Sequence, residues 1–160
     1  MDALTFATLL ATCAPLVHPA TAHALVAVES GFNPHAIGVV GGALERQPRT
    51  AAEAVATAQA LEAGRRNFSL GLGQINVGNL PRLGLTIPDA LDRCQNLRAM
   101  QTILGECFER AGGDADPQRN LRRAFSCYYS GNFATGFRDG YVGRVVAAGR
   151  TNPAVRGPPR

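Results

Sequence analysis

The chain has 160 residues, 46% of them hydrophobic and 18% charged, which supports one compact domain with a core and is too short for two ordinary ones. No apolar run reaches the roughly 18 residues of a membrane-spanning helix, so a stable membrane span is excluded. The formal charge is +4 and all 16 basic residues are arginine, yet no basic run exceeds the pairs Arg65-Arg66 and Arg122-Arg123 and none alternates with aromatics, which argues against nucleic acid as partner.

Residues 1–17 are apolar but lack a basic start, carry Asp2 and are broken by Thr5, Thr8 and Thr12. They fit a signal peptide poorly and predict a first domain helix, with any export signal lying outside this chain or hard to recognise. Pro15 and Pro19 punctuate its end, and Pro19 suits the start of a second helix over 20–30. Gly31-Phe32-Asn33-Pro34 stops that helix, because a residue preceding proline is pushed out of the α region. The stretch 39–44, with Gly41-Gly42 at its middle, predicts a small β-hairpin. Thr50, with Glu53 three residues on, has capping-box spacing and opens an alanine-rich helix that ends at Gly64.

Asn67-Phe68-Ser69-Leu70-Gly71-Leu72-Gly73-Gln74-Ile75-Asn76 has no helical period before Gln74. Leu80-Pro81 and Ile87-Pro88-Asp89 mark turns, the second leading into a short turn at 89–91. Leu97, Met100, Ile103, Leu104 and Phe108 then fall at helical spacing, which predicts a long helix over 95–110 with its exit at Gly112-Gly113. Further helices are predicted over 120–129, ended by Gly131-Asn132, and over 140–148. The proline- and arginine-bearing segment 149–160 is predicted to be a disordered tail beyond a single domain at 1–148. Six or so helices and little strand make the fold all-α, or α-dominated α+β.

Cys13, Cys94, Cys107 and Cys127 form no CxxC pair, and His18, His23 and His35 have no ligand spacing, so neither a metal nor another cofactor is expected. Four cysteines permit two disulfides and an oxidising compartment; four buried free thiols are the alternative. Cys94 and Cys107 on one helix would stand about 20 Å apart at about 1.5 Å per residue. That is far beyond the roughly 7 Å Cα separation a disulfide allows. The remaining pairings are Cys13 with Cys94 and Cys107 with Cys127, favoured because the latter two lie on consecutive helical segments, or the crossed arrangement.

Glu29 is the candidate acid. It precedes the last residue of a helix whose neighbours Leu25, Val26 and Val28 are apolar, where partial desolvation raises a carboxyl pKa toward what a general acid needs. Taken alone, a helical glutamate is more often simply solvated.

Glu29-Ser30-Gly31-Phe32-Asn33-Pro34-His35-Ala36, Gly71-Leu72-Gly73-Gln74-Ile75-Asn76 and Tyr128-Tyr129-Ser130-Gly131 occur in that order. Together they resemble the three motifs of soluble lytic transglycosylases with a goose-lysozyme-like fold. The longer stretches Ile37-Gly38-Val39-Val40-Gly41-Gly42 and Ala124-Phe125-Ser126-Cys127-Tyr128-Tyr129-Ser130-Gly131-Asn132 resemble the specialised transglycosylases of type IV secretion systems. The resemblance implies a lysozyme-like domain that cleaves the β-1,4 bond between N-acetylmuramic acid and N-acetylglucosamine, leaving 1,6-anhydro-muramyl ends. It implies peptidoglycan glycan strands as substrate, secretion or conjugation components as partners, and the periplasm as location.

Glu29 matches the family's catalytic acid. Ser30, Gly71, Gln74, Ile75, Asn76, Tyr128, Ser130 and Gly131 fall on motif positions and become candidate substrate-binding residues. Most glycosidases need two carboxylates, whereas substrate assistance dispenses with the second, and the matched motifs contain Glu29 alone. Asp139 and Glu106 are the other acids weighed as partners for it. Tyr129 departs from the pattern, since many relatives have asparagine after the motif tyrosine. Two rivals stand beside this reading: a hydrolytic muramidase, and a catalytically silent glycan-binding assembly component.

Overall fold

The computed structural model describes residues 1–151. In chain order it contains helices α1 (Ala3–Cys13) and α2 (Pro19–Ser30), strand β1 (Ile37–Val39), helix α3 (Ala51–Ala63), and strands β2 (Phe68–Leu70) and β3 (Ile75–Asn76). A 3-10 turn (Val77–Asn79) follows, then α4 (Leu80–Leu83), α5 (Ile87–Leu91), α6 (Arg93–Ala111), α7 (Pro117–Ser130), α8 (Thr135–Arg138) and α9 (Tyr141–Thr151). Helices dominate and one small antiparallel sheet accompanies them, as the α-dominated residue pattern predicts and as the lysozyme-like fold implied by the resemblance requires. The chain forms two compact units, Met1–Pro15 with Glu29–Met100, and Leu16–Val28 with the chain from Gln101 onward.

In the first unit, α1 begins where Asp2 accepts hydrogen bonds from the Thr5 amide and hydroxyl at 2.9 and 2.8 Å. Phe6, Leu10 and Cys13 form its buried stripe, and Cys13 is disulfide-bonded to Cys94 at the start of α6 with Cα atoms 5.2 Å apart. The opening segment is therefore a helix of the domain. The sheet has the order β1-β2-β3, with Ile37 opposite Leu70 and Leu70 opposite Ile75.

The hairpin expected at 39–44 does not form. β1 pairs with the distant β2, which brings the buried side chains Phe68 and Leu70; a local return strand would offer only exposed Ala43 and half-buried Leu44. The hairpin of this fold is β2–β3, turning at residues 71–74. The other edge of β1 is closed by a side chain, since the Ile37 N–H donates to Gln47 Oε1 at 2.8 Å and Gln47 Nε2 donates to the Ile37 carbonyl at 2.9 Å.

Thr50 caps α3 by accepting from the Glu53 N–H at 3.1 Å. The Glu53 carboxylate turns away from the reciprocal half of a box, pairing with Arg46 and accepting from the Arg49 N–H, and Arg46 above all holds it below the usual range. The full box sits at α5, where the Thr86 N–H donates to Asp89 and the Asp89 N–H donates to Thr86, so the short turn expected at 89–91 is a capped helix. Thr86 keeps the Asp89 carboxyl below its ordinary value of 3.8. A depressed acid contributes stability above its unfolded pKa and loses it as pH falls through the folded one. Amide protection across α5, corrected for the intrinsic exchange rate, is therefore expected to fall selectively below about pH 4, and to do so less in Thr86→Ala, which keeps only the backbone bond to Asp89.

In the second unit, α7 starts three residues earlier than the expected 120, because Asp116 accepts from the Gln118 N–H at 2.9 Å and Pro117 takes the first turn. Cys107 on α6 and Cys127 on α7 are bonded, Cα atoms 5.7 Å apart, which completes the favoured pairing and leaves no free cysteine among the described residues. The four-residue α8 escapes sequence reading and is fixed by close approach: the Gly136 N–H donates to Ser126 Oγ at 2.9 Å, and a Cβ on Gly136 would stand 2.6 Å from the Ser126 Cα. The Arg110 and Arg123 guanidiniums lie 5.7 and 4.7 Å from the Phe133 ring centroid, and Arg123 also donates to the Ala111 carbonyl at the end of α6. Helix α9 runs to Thr151, beyond the expected boundary at Ala148, since the first strong stop in the sequence is Pro153. The rest of the segment read as a tail lies outside the described residues.

Candidate active site

Glu29 is the penultimate residue of α2 and is half-buried. Beyond Ser30 the chain reverses through two left-handed residues, Gly31 at φ 57° and Phe32 at φ 63°. A non-glycine residue in that region costs about 1 kcal/mol or more. The Phe32 ring packs edge-to-face on Phe6 at 5.0 Å, which holds the conformation in place. Asn33 then nucleates the next turn, its Oδ1 accepting from the His35 N–H at 2.9 Å and its carbonyl from the Ala36 N–H at 3.2 Å. The backbone leaving the acid is thus fixed residue by residue.

Ala36 joins the first motif to the second. Its carbonyl accepts from the Gly71 N–H at 2.8 Å and from Gln74 Nε2 at 3.0 Å, while the same Nε2 also donates to the Gly71 carbonyl at 3.0 Å. Gln74 therefore ties the β2–β3 turn to the loop after Glu29, and its Oε1 lies so near Gly38 that a Cβ there would meet it at 2.6 Å. Asn76 is likewise engaged, donating to Asn67 at 2.8 Å and accepting from the Gly78 N–H at 2.9 Å. Ile75 is 1% exposed and pairs with Leu70, so its side chain supports the sheet.

Asn96 on α6 is the residue that sequence reasoning missed. It is 1% exposed, donates to the Leu70 and Ala90 carbonyls at 2.8 and 2.6 Å, and accepts from the Gly73 N–H at 2.7 Å. Gly71, at φ 74°, gives it room, because a Cβ there would collide with the Asn96 amide nitrogen. Replacing Asn96 with leucine strands three buried backbone groups and is expected to cost about 2 to 4 kcal/mol in a denaturant melt. A single polar residue in an otherwise apolar helical period was the available signal.

The third motif belongs to the second unit. Tyr128 is half-buried on α7. The Ser130 hydroxyl donates to the Ser126 carbonyl at 2.8 Å, and Gly131 ends the helix, its N–H donating to the Cys127 carbonyl at 2.7 Å. Asn132 organises the start of α8 by accepting from the Ala134 and Thr135 amides.

Other carboxylates have structural work. Asp2, Asp89 and Asp92 cap helices and Glu53 pairs with Arg46. Asp139 is held by Arg138 at 2.8 Å and by the Tyr129 hydroxyl at 3.3 Å, and Arg138 foremost keeps it below the usual carboxylate range. An acid so stabilised in its charged form is a poor proton donor. Glu106 is exposed. Among the described residues no group of three or more His, Cys, Asp or Glu side chains is placed to hold a metal ion, and no helix is long and apolar enough to cross a membrane. A cavity of about 360 Å3 in the first unit is lined by Val77, Leu80, Pro81, Leu85, Ile87 and Pro88 among others, and none of the motif residues lines it.

The described residues thus form a domain of the helical, lysozyme-like class, with a small sheet and a half-buried glutamate at a helix end. The transglycosylase SLT domain profile matches residues 8–145. The type IV secretion system protein virB1 of Brucella abortus biovar 1 (strain 9-941) is 50% identical over 159 residues, covering 94% of this chain and 67% of that protein. The protein of the same name from Brucella suis biovar 1 (strain 1330) is 51% identical over 150 residues, covering 89% and 63%. Protein virB1 of Agrobacterium fabrum is 41% identical over 140 residues, covering 85% and 56%. No solved structure matches. The chain belongs to the transglycosylase SLT domain family, the peptidoglycan lytic transglycosylases. It spans about two thirds of the length of its Brucella relatives.

Proposed function

We propose that this chain cleaves peptidoglycan glycan strands without water, with Glu29 as the single acid and base, and so opens the wall locally for a type IV secretion apparatus in the periplasm. The observation that carries the reading is the position of Glu29, alone among carboxylates in the three motifs, at a rigidly terminated helix end. Its carboxyl protonates the glycosidic oxygen, and the sugar's acetamido group supports the cationic centre. The resulting carboxylate then removes the proton of the sugar's own 6-hydroxyl, which closes the 1,6-anhydro ring.

Gly71 and Gln74 serve the site by locking the second motif onto the loop after Glu29, and Ile75 by anchoring β3. Ser30 and Asn76 flank the acid and the sheet as polar contacts for hydroxyl or acetamido groups, and Tyr128, Ser130 and Gly131 provide a further substrate-binding segment. The secretion role rests on the virB1 relatives. The two disulfides favour an oxidising compartment.

Purified peptidoglycan incubated with the protein is expected to release soluble muropeptides. Binding without release would establish the silent assembly component instead. Because arginine supplies all the positive charge, the binding step is also expected to weaken as salt rises.

A further inference from the structure

The surface of the second unit carries an aromatic pair that the catalytic reading leaves unused. Tyr129 is 43% exposed and stacks on Tyr141, itself 2% exposed, with ring centroids 4.5 Å apart and planes at 17°. One face of the Tyr129 ring is covered by this stack, so its exposed part is the opposite face and the edge. The ring is fixed at a second point, where its hydroxyl donates to Asp139 Oδ2 at 3.3 Å. Asp139 is fixed in turn: Arg138 donates to its Oδ1 at 2.8 Å, and Arg144 donates to its backbone carbonyl at 3.2 Å while standing 5.9 Å from the Tyr141 ring.

An exposed aromatic held at both ends has already lost the rotamer freedom that ligand binding would otherwise cost. Its neighbours suit a sugar. A β-linked pyranose presents axial C–H groups on its faces, which meet the electron-rich face of an aromatic ring, and its hydroxyl and acetamido N–H groups need acceptors beside that ring. The Asp139 carboxylate has about four lone-pair sites, of which the two bonds above use two.

We propose that Tyr129, backed by Tyr141 and flanked by Asp139, is a stacking platform for one sugar ring of the peptidoglycan glycan strand. The inference rests on the substrate reading above and names a binding residue for it.

The test uses the full chain carrying Glu29→Gln, so that substrate is not consumed, and glycan strands stripped of stem peptides as probe. Tyr129→Ala is expected to weaken binding about tenfold. Tyr129→Phe, which keeps the ring, is expected to stay within about threefold, and Tyr129→Trp to bind at least as tightly as the parent. In the active chain, Tyr129→Ala is expected to raise KM with kcat little changed. Unaltered binding by a folded Tyr129→Ala overturns the platform, as does a Phe variant as weak as the Ala one, because the hydroxyl anchor would then be what matters. Should Tyr129→Ala fail to fold, a tenfold loss in Tyr129→Trp overturns it equally. Failure of the Glu29→Gln parent to bind any glycan overturns the substrate reading itself, and the platform with it.

Discussion

Replacing Glu29 with glutamine is expected to lower wall lysis by about 10³-fold, within the range general acid–base catalysis supplies, while the fold and glycan binding survive. Glutamine has nearly the volume of glutamate and fits the same half-buried place at the end of α2. What it lacks is an acidic proton to give to the glycosidic oxygen and a carboxylate to take one from the 6-hydroxyl. In the proposed mechanism one residue serves both steps, which leaves no second group to compensate. Glu29→Asp keeps the carboxyl but withdraws it by a methylene, and displacement on the order of 1 Å is expected to cost about 10²-fold. Turbidity clearing by each variant, with thermal melts alongside, checks both values. Equal clearing by wild type and Glu29→Gln removes Glu29 from the chemistry.

The second large effect concerns stability. The Cys13–Cys94 bond closes a separation of 81 residues and ties α1 to α6 within the first unit, whereas Cys107–Cys127 closes 20 residues and joins α6 to α7 in the second. In the chain-entropy account these loops correspond to about 4.5 and about 3.3 kcal/mol, so the paired change Cys13→Ala with Cys94→Ala is expected to be the more damaging. At roughly 2 to 4 °C per kcal/mol for a chain of this size, its melting temperature is expected to fall by about 10 °C or more. A larger loss on removing Cys107–Cys127 would reverse the ranking and place the main cross-link in the second unit.

How much of this was readable in advance depended on distance along the chain. Local chemistry was legible: Thr50 before the α3 helix, Gly131 after α7, and the one-helix spacing that forbids a Cys94–Cys107 bond. Asp116-Pro117 carries the same kind of cap signal, and it adds a first turn to α7 ahead of the apolar period. Non-local pairing was illegible. Val39-Val40-Gly41-Gly42 has hairpin chemistry, but β1 takes its partner from residues 68–70, where burial of Phe68 and Leu70 outweighs a nearby turn.

The site divided along the same line. The order of the motifs singled out Glu29, Gly71 and Gln74. Their mutual arrangement did not follow from spacing, because it depends on the Ala36 carbonyl, the Gln47 side chain and buried Asn96, each of which reaches across many residues of sequence. Gln74 shows the consequence most plainly, since the sequence offers an amide for sugar and the fold has already engaged that amide's nitrogen with two carbonyls.

Cleavage through Glu29 without water, as proposed, leaves its record in the products. Peptidoglycan digested by this protein in heavy-oxygen water, followed by mass spectrometry of the released muropeptides, is expected to give 1,6-anhydro-muramyl ends with no heavy oxygen at the anomeric carbon. Reducing ends carrying the heavy oxygen would mean that an activated water attacks, and would make the protein a hydrolytic muramidase.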